Sequence, residues 1–391
     1  MLTVTRLQEQ LRPVRRAVES AAGLPNVLYN DPAGFELEKQ QIFHRTWACI
    51  GVANDVPEPG DAKPIDFLGM PLLLVRDHDG ALRLFQNVCR HRGMILIDAP
   101  RKLKGVIRCP YHSWCYNLNG SLRATPHVGG PGINEHCDVP ADQLGLLEVR
   151  MGVFLDAVFA DVSGHAAPFE EFIAPLKARW SEFADQPLYH GGQESRFTLD
   201  IASNWKLAVE NYCESYHLPW VHPGLNSYSR LEDHYNIFAP DDAAHAPGDF
   251  SGQGTLVYAP QFEGEAPMPN FGGLSDVWDR SAEYIALFPN VLFGVHRDHV
   301  YSIRLEPVSH GRTREHIEIY YTTPEAATSD ERASTRRKNA ALWKDIFIED
   351  IGVVEGMQQG RGALGFDGGK FSPVMDAPTH RFHAWVAAQL S

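Results

Sequence analysis

Residues 89–112 read Cys-Arg-His-Arg-Gly-Met-Ile-Leu-Ile-Asp-Ala-Pro-Arg-Lys-Leu-Lys-Gly-Val-Ile-Arg-Cys-Pro-Tyr-His, and this stretch decides the fold of the first part of the chain. It contains two ligand pairs, Cys89-x-His91 and Cys109-x-x-His112, which seventeen residues separate. Two cysteines and two histidines at such spacing indicate a metal site. One iron of a 2Fe–2S cluster would take the two thiolates, and the other iron would take the two imidazoles.

Zinc is the competing interpretation of the same four residues, because two cysteines and two histidines also suit a tetrahedral zinc ion. Structural zinc sites usually pair cysteine with cysteine and histidine with histidine. Each pair in this sequence mixes one cysteine with one histidine. The mixed order favours the iron–sulfur cluster.

The composition predicts a large globular protein. The chain has 391 residues, of which 44% are hydrophobic, enough for two domains or one large domain. A net charge of −14 without a Lys/Arg cluster argues against nucleic acid as a partner. Six scattered cysteines fit a reducing cytoplasm. Because no apolar run approaches twenty residues and the N-terminus has no apolar signal core, we expect no membrane span.

The hydrophobic pattern predicts three segments. Residues 1–40 form an N-terminal helical segment, with a helix expected over residues 3–22. Residues 41–160 form an antiparallel β domain, in which Asp79-Gly80 and Asn119-Gly120 are hairpin signals. Both ligand pairs fall in loops of this domain.

Residues 161–391 are predicted to form a second domain of the α+β class. Its antiparallel sheet is expected to pack under a long helix at about residues 330–358. A helix is expected over residues 204–217, and residues 226–280 look irregular because Pro and Gly occur throughout. Strands are expected at Tyr284–Phe288, Val291–His296, His299–Glu306 and Glu315–Thr322.

A second candidate metal site lies in residues 204–222, Asn-Trp-Lys-Leu-Ala-Val-Glu-Asn-Tyr-Cys-Glu-Ser-Tyr-His-Leu-Pro-Trp-Val-His. Non-haem iron that activates O₂ takes two histidines and one carboxylate on one face. His217 follows Cys213 by one helical turn, so we expect it on the buried side of the helix. Pro219 ends that helix, and the chain can then present His222 to the same space. Either histidine alone is better explained as a core residue, but the pair beside a redox cluster favours ligands.

The long C-terminal helix offers the carboxylate. Its apolar positions place Asp350 within the buried stripe, where a carboxylate is costly unless it is paired or binds a metal. Asp345 and Glu349 have more polar neighbours and look solvated. The alternative is that Asp350 is a buried acid that organises hydrogen bonds.

Both sites resemble those of the ring-hydroxylating, or Rieske non-haem iron, oxygenases. Cys89-Arg-His-Arg-Gly and Cys109-Pro-Tyr-His-Ser-Trp resemble the Rieske motif, with Trp114 at the position of a residue that shields the cluster. Glu-Asn-Tyr-x-Glu-x-Tyr-His-x-x-x-x-His and a late Glu-Asp pair resemble the catalytic motifs. The resemblance runs from about residue 25 to 385. It implies that His217, His222 and Asp350 hold a mononuclear Fe(II).

Glu214 is where the chain departs from most of that family. An Asp at this position usually bridges a mononuclear-site histidine to a Rieske histidine of the neighbouring subunit, which implies a head-to-tail homotrimer. The longer Glu is similar to the quaternary-ammonium subgroup, which includes the carnitine, glycine betaine and stachydrine enzymes. Glu214 as a solvated helix residue is the other interpretation.

The resemblance implies a cytoplasmic terminal oxygenase that uses O₂ and electrons from NAD(P)H. The chain has no Gly-x-Gly-x-x-Gly fingerprint and no second ferredoxin pattern, so a separate reductase of flavin or ferredoxin type must deliver the electrons. The expected reaction hydroxylates a C–H bond next to nitrogen in a quaternary ammonium compound, with N-demethylation or C–N cleavage as the outcome.

Three aromatic residues, Tyr216, Trp220 and Phe293, are predicted to hold the small-molecule substrate through cation–π attraction. The same residues could line a pocket for a neutral aromatic ring. Two alternatives therefore stay open: an aromatic-ring dioxygenase or O-demethylase on the same scaffold, and a Rieske electron carrier without oxygenase activity. A carrier would have no use for residues 161–391.

Overall fold

The computed structural model describes residues 4–241, 244–260, 262 and 264–391. The chain forms two compact units. The smaller unit is Ile50–His165, and the larger unit combines Met1–Cys49 with Ala166–Ser391.

The smaller unit consists of short strands in three small sheets, ordered β1-β10-β9, β4-β3-β2-β5 and β6-β7-β8. The two predicted hairpin turns join β3 to β4 and β7 to β8, and Gly80 and Gly120 adopt positive φ there. A side chain at Gly120 would also collide with the ring of Phe85. The strands are β1 (Ala48–Val52), β2 (Asp61–Phe67), β3 (Met70–Arg76), β4 (Leu82–Gln86), β5 (Arg101–Lys102), β6 (Val106–Arg108), β7 (Cys115–Asn117), β8 (Leu122–Ala124), β9 (Arg150–Phe154) and β10 (Ala157–Asp161).

The larger unit is built on one antiparallel sheet, ordered β11-β18-β17-β16-β15-β14-β13, with β12 paired to β18. β17 and β18 are the longest of its strands and pair over most of their length. The strands are β11 (Tyr189–His190), β12 (Arg196–Ile201), β13 (His234–Phe238), β14 (Phe250–Thr255), β15 (Ala282–Leu287), β16 (Val291–Val295), β17 (His299–Ser309) and β18 (Arg312–Tyr321).

Helices cover this sheet. The helices are α1 (Val4–Leu11), α2 (Val27–Asn30), α3 (Pro32–Glu38), α4 (Phe169–Arg179), α5 (Trp205–Cys213), α6 (Leu218–Val221), α7 (Pro223–Asn226), α8 (Pro324–Thr328), α9 (Ala333–Gly360) and α10 (Ala377–Gln389). A π-helical segment, Lys39–Phe43, continues α3.

The long helix α9 packs across the sheet through aromatic side chains. Trp343 and Phe347 lie one turn apart on α9, with ring centroids 4.6 and 5.4 Å from that of Tyr301 on β17. On α5, Tyr212 donates its hydroxyl to the Phe293 carbonyl at 2.8 Å. The predicted fold class, an antiparallel β domain followed by an α+β domain with a sheet under a long helix, is therefore confirmed.

The helix predicted over residues 3–22 is shorter than expected. α1 ends at Leu11, and the chain continues through turns from Arg12 onward. Pro13 is the physical reason, since it has no N–H for the helical ladder and its ring clashes with the preceding turn.

The helix predicted over residues 204–217 ends at Cys213. Glu214 has an extended backbone, with φ −125° and ψ 159°. Its carboxylate accepts the backbone N–H groups of Tyr216 and His217. A side chain that satisfies nearby N–H groups competes with helix continuation, so His217 lies beyond α5 and not on its buried face.

Residues 226–280 contain two strands that the sequence pattern hides, β13 and β14. β14 reads Phe-Ser-Gly-Gln-Gly-Thr and is buried along its whole length. A Cβ at Gly252 would lie 2.0 Å from the Tyr284 carbonyl oxygen, and a Cβ at Gly254 would strike the ring of Tyr235. The glycines are needed for close approach, although glycine is rare in strands in general.

Candidate active site

The first ligand pair follows β4 and the second lies between β6 and β7. Each pair sits on a tight turn that the backbone closes. The Cys89 N–H donates to Met94 O at 2.8 Å, and the Cys109 N–H donates to Trp114 O at 2.8 Å. Gly93 in the first turn has φ +75°, and Ser113 in the second has φ +58°. The two turns therefore share the same closing hydrogen bond, and each contains one residue with positive φ.

Burial separates the four residues into an inner and an outer pair. Cys89 and Cys109 are 2% exposed each, whereas His91 is exposed and His112 is partly exposed. The two imidazole rings lie 4.7 Å apart between centroids, and the Trp114 ring stacks on His91 at 4.8 Å. Inner thiolates and outer imidazoles suit a cluster with one buried and one outer iron.

Two polar details fit the same cluster. The Tyr116 hydroxyl lies 3.3 Å from the Cys89 sulfur, within reach of a hydrogen bond that would tune a bound cluster. The buried Nδ1 atom of His112 has no hydrogen-bond partner among the residues that the structure describes. Burying a nitrogen without a hydrogen-bond partner is costly unless the nitrogen binds a metal. These residues therefore fit a 2Fe–2S cluster.

His217, His222 and Asp350 come together in the larger unit. Their ligand atoms all lie within 4.8 Å of one another. The Asp350 Oδ1 atom is 3.0 Å from His222 Nε2 and 3.7 Å from His217 Nε2. This oxygen is buried, and no group in the described part of the chain donates a well-aligned hydrogen bond to it. Two histidines and one carboxylate that converge on one point are the donor set of mononuclear non-haem iron.

Two carboxylates fix the orientation of these histidines. His217 Nδ1 lies 2.7 Å from Glu214 Oε1, and His222 Nδ1 lies 2.7 Å from Glu349 Oε2. Metal-bound histidines usually donate the second ring N–H to such a group. Both Nε2 atoms are thereby left to face Asp350.

The short helix α6 sets the spacing of the two histidines. His217 immediately precedes α6 and His222 immediately follows it. Pro219 lies in its first turn, where the missing N–H costs nothing. The ring centroids of the two histidines are 5.1 Å apart. Asp350 reaches them from the distant helix α9.

Glu349 corrects one prediction. We expected a solvated residue, because its helical neighbours are polar. Its side chain is indeed 44% exposed, yet one carboxylate oxygen is engaged by His222. Its position directly before Asp350 is the sequence signal that could have indicated this contact.

A cavity of about 50 Å³ opens beside the three convergent residues. A cavity needs roughly 10–15 Å³ to hold one water molecule, so this cavity is large enough for water. Aromatic side chains and uncharged polar groups dominate its wall. The lining residues are Asn211, Tyr212, His217, Leu218, His222, Leu225, His234, Gln253, Tyr284, Tyr301, Trp343, Ile346, Phe347 and Asp350.

Sequence reasoning missed the polar part of this wall. His234 Nδ1 is 2.6 Å from Gln253 Oε1, and Gln253 donates to the Glu214 carbonyl at 3.1 Å. Burial lowers the pKa of His234. Gln253 was hidden in the glycine-rich strand β14, and no local signal distinguished His234 from a core histidine.

The three predicted substrate residues do not line this cavity. Tyr216 is 44% exposed and Trp220 is 72% exposed, because α5 ends before them. Phe293 is fully buried, but alternation along β16 places it on the opposite face of the sheet from Tyr284. The aromatic wall comes instead from Tyr212, Tyr284, Tyr301, Trp343 and Phe347.

Two titratable groups in the region of the cavity, His222 and Glu315, have pKa values above their ordinary values. Burial lowers the pKa of His222, but Asp350 and Glu349 more than offset it, and the net shift is upward. On β18, burial and, to a smaller extent, the negative charge of Asp350 together raise the pKa of Glu315 to about 8. A carboxyl that stays neutral near pH 7 adds no charge to this region.

Two family models match the chain. The Rieske [2Fe-2S] domain matches residues 46–139. The ring hydroxylating alpha subunit (catalytic domain) matches residues 191–391, about half of the chain. No helix within the described residues is long and apolar enough to cross a membrane.

Individual relatives agree with the family models. The carnitine monooxygenase oxygenase subunit of Escherichia coli (strain K12) is 27% identical over 354 residues, which cover 90% of this chain and 87% of that protein. Putrescine 2-hydroxylase of Ralstonia nicotianae (strain ATCC BAA-1114 / GMI1000) is 28% identical over 382 residues, 94% of this chain and 95% of that protein. A solved quaternary ammonium Rieske monooxygenase has the same fold, with a TM-score of 0.75, 23% identity and 98% of each chain covered.

These matches decide between the two metals at the first site and establish the cofactors. The Rieske domain carries a 2Fe–2S cluster and the catalytic domain carries a mononuclear iron, as predicted. The chain belongs to the ring-hydroxylating alpha subunit family and is a Rieske non-haem iron oxygenase.

Proposed function

We propose that this protein is the terminal component of a monooxygenase that hydroxylates a C–H bond next to the nitrogen of a quaternary ammonium compound. The observation that carries the proposal is the composition of the cavity wall beside His217, His222 and Asp350. Aromatic side chains form much of this wall, and none of the described lining residues is Lys or Arg. Aromatic faces attract a trimethylammonium group, which needs no hydrogen bonds.

In this proposal Cys89, His91, Cys109 and His112 hold the cluster. His217, His222 and Asp350 hold the iron, which supplies O₂ activation when bound. The aromatic wall orients the substrate so that one N-methyl or N-methylene group faces that position. Insertion of one oxygen atom into the C–H bond, with two electrons and two protons reducing the second oxygen atom to water, gives a hemiaminal. The hemiaminal collapses to an aldehyde and an amine.

The electrons come from a separate reductase, and we propose that they cross between subunits of a homotrimer through Glu214. The carboxylate of Glu214 touches His217 at 2.7 Å and its side chain is 13% exposed. One end of a bridge is thus in place, and the remaining exposure leaves room for a Rieske histidine of a neighbouring subunit. The solved quaternary ammonium relative is a case of inter-subunit electron transfer.

The first test is iron per chain on anaerobically purified protein, compared with His217→Ala. We expect about three irons to fall to about two, with the visible spectrum of the cluster unchanged. About two irons in both proteins would leave only the cluster and would favour the electron carrier.

Substrate profiling tests the reaction. We expect formaldehyde or another aldehyde from betaines and carnitine, in amounts equal to the O₂ consumed, when a reductase and NAD(P)H are supplied. Turnover of aromatic acids instead would favour the ring dioxygenase or O-demethylase. Putrescine belongs in the panel, because one relative hydroxylates it; turnover of putrescine alone would move the proposal from quaternary to primary amines.

A further inference from the structure

We infer that Glu349 is a positioning residue for the mononuclear iron centre. It acts through His222, whose Nδ1 lies 2.7 Å from Glu349 Oε2. The inference rests on the iron centre proposed above and not on the identity of the substrate.

Glu349 and Asp350 are neighbours on α9. The same helical turn therefore supplies Asp350, the third proposed iron ligand, and Glu349, which contacts Nδ1 of the second proposed ligand, His222. The Glu349–His222 contact spans 127 residues of sequence. His217, by contrast, is oriented by Glu214 from its own segment. Glu349 therefore connects the α6–α7 junction to α9 through His222 Nδ1, as Asp350 does through His222 Nε2.

The contact fixes both the rotation and the tautomer of His222. With the N–H on Nδ1 donated to Glu349, the lone pair of Nε2 faces Asp350, 3.0 Å from Oδ1. Without Glu349, the ring is free to flip or to hold its proton on Nε2, and neither state binds a metal in place. Carboxylates behind a metal-bound histidine also increase its basicity.

Because Glu349 is partly exposed, the Glu349–His222 contact forms at a low desolvation cost. The His222 side chain is 3% exposed and the Glu349 side chain is 44% exposed. The carboxylate keeps part of its hydration, so its charge does not carry the full cost of burial.

The rate at which the protein loses its mononuclear iron tests this inference directly. We would load wild type, Glu349→Ala and Glu349→Gln with Fe(II), and follow transfer of the mononuclear iron to ferrozine while the visible spectrum reports the cluster. Loss of an outer carboxylate typically weakens metal binding roughly 10- to 100-fold. We expect Glu349→Ala to lose iron faster by about that factor, and Glu349→Gln to be intermediate because its amide oxygen still accepts the N–H.

Asp345→Asn is the matched control, since Asp345 is an exposed acid on the same helix, and we expect a wild-type rate. Equal rates for wild type and Glu349→Ala would overturn the inference. Should Glu349→Ala fail to fold, Glu349→Gln decides alone, because loss of the charge is expected to speed iron release several-fold and an unchanged rate would overturn the inference. These readouts need no substrate, so they stand even if the proposed reaction is wrong.

Discussion

At the scale of single residues, Glu214 performs two local tasks with one carboxylate. One oxygen contacts His217 Nδ1, and the other accepts the N–H groups of Tyr216 and His217 that would otherwise be left at the start of α6. The sequence marked this position as unusual, but the backbone explains why it shapes the site: the same side chain stops α5 and aims the first histidine.

Glu214→Gln tests the proposed electron bridge. The amide oxygen can still accept the N–H of His217 Nδ1, whereas the amide nitrogen cannot accept the backbone N–H groups of Tyr216 and His217. Because the contact to His217 is kept, we expect both metal centres to be retained. The amide cannot hold a negative charge between two imidazoles, so we expect substrate-dependent oxidation of the reduced cluster by O₂ to slow by about 10-fold or more. Stopped-flow absorbance of the cluster gives this rate. Oxidation at the wild-type rate would remove Glu214 from the path.

At the scale of elements, α5 leads into the segment that holds the two histidines of the site, and charges deep in the larger unit anchor this helix. Lys206 and Glu38 are both fully buried and form an ion pair that joins α5 to α3. Trp205 also donates to Glu38, at 2.8 Å. His217 and His222, which we propose to bind the iron, follow α5 in the chain. Their positions therefore depend on how firmly α5 is anchored.

Glu38→Gln should destabilise the protein strongly, because it removes the carboxylate that pairs directly with the buried Lys206 ammonium. Removing one partner of a buried pair typically costs about 3–5 kcal/mol. Glu36→Gln is the control, since Glu36 pairs with Lys39 at an exposed position, where such pairs contribute about 0–1 kcal/mol. Thermal unfolding of the three proteins measures the difference, and similar midpoints for both variants would contradict the prediction.

Glu210 on α5 makes the same anchor sensitive to acid. Burial alone raises the pKa of Glu210, but His383, Arg361 and Tyr29 more than offset it and lower the pKa to about 2. The folded pKa is below the ordinary value of 4.5, so the stabilisation is complete above about pH 4.5 and is lost as the pH falls toward 2.

Glu210→Gln should therefore unfold at a lower temperature than wild type at pH 7, and the gap should narrow as the pH is lowered from about 4.5 toward 2. The physical reason is that the unfolded chain takes up the proton near pH 4.5, whereas the folded protein keeps the charge until the pH approaches 2. Differential scanning calorimetry across this range gives both midpoints. A gap that stays constant would show that the charge of Glu210 does not stabilise the fold.

At the scale of the whole molecule, the proposed trimer makes a complementation experiment possible. A Cys89→Ser/Cys109→Ser chain should lack the cluster and keep the iron, and a His217→Ala chain should lack the iron and keep the cluster. Neither is expected to turn over substrate alone. If electrons cross between subunits, mixed trimers from co-expression place an intact cluster beside an intact iron and regain activity.

Transfer within one chain predicts no activity in the mixture, because no chain has both centres. Differently tagged chains allow the mixed trimers to be purified, and sedimentation equilibrium establishes their size. Iron and sulfide analysis of each parent protein is the control that one centre is lost and the other kept. Inactive mixed trimers with both centres present would contradict electron transfer between subunits.

The sequence by itself determined the ligand types and spacing of the first site, the fold class of both domains, and the candidate residues of the second site. Asp350 emerged from helical periodicity alone, because a charge within an apolar stripe shows in local sequence. Such patterns report which face of an element is buried, and that depends on neighbours three or four residues away.

Only the tertiary structure decided which polar side chains meet. The Glu349–His222 contact, the glycine-rich strand β14 and the aromatic wall of the cavity all depend on partners far away in sequence. A half-exposed glutamate has the same local pattern whether it faces water or a histidine. The physical reason is that hydrogen bonds to distant groups leave no periodicity behind, so they become visible only when the chain has folded.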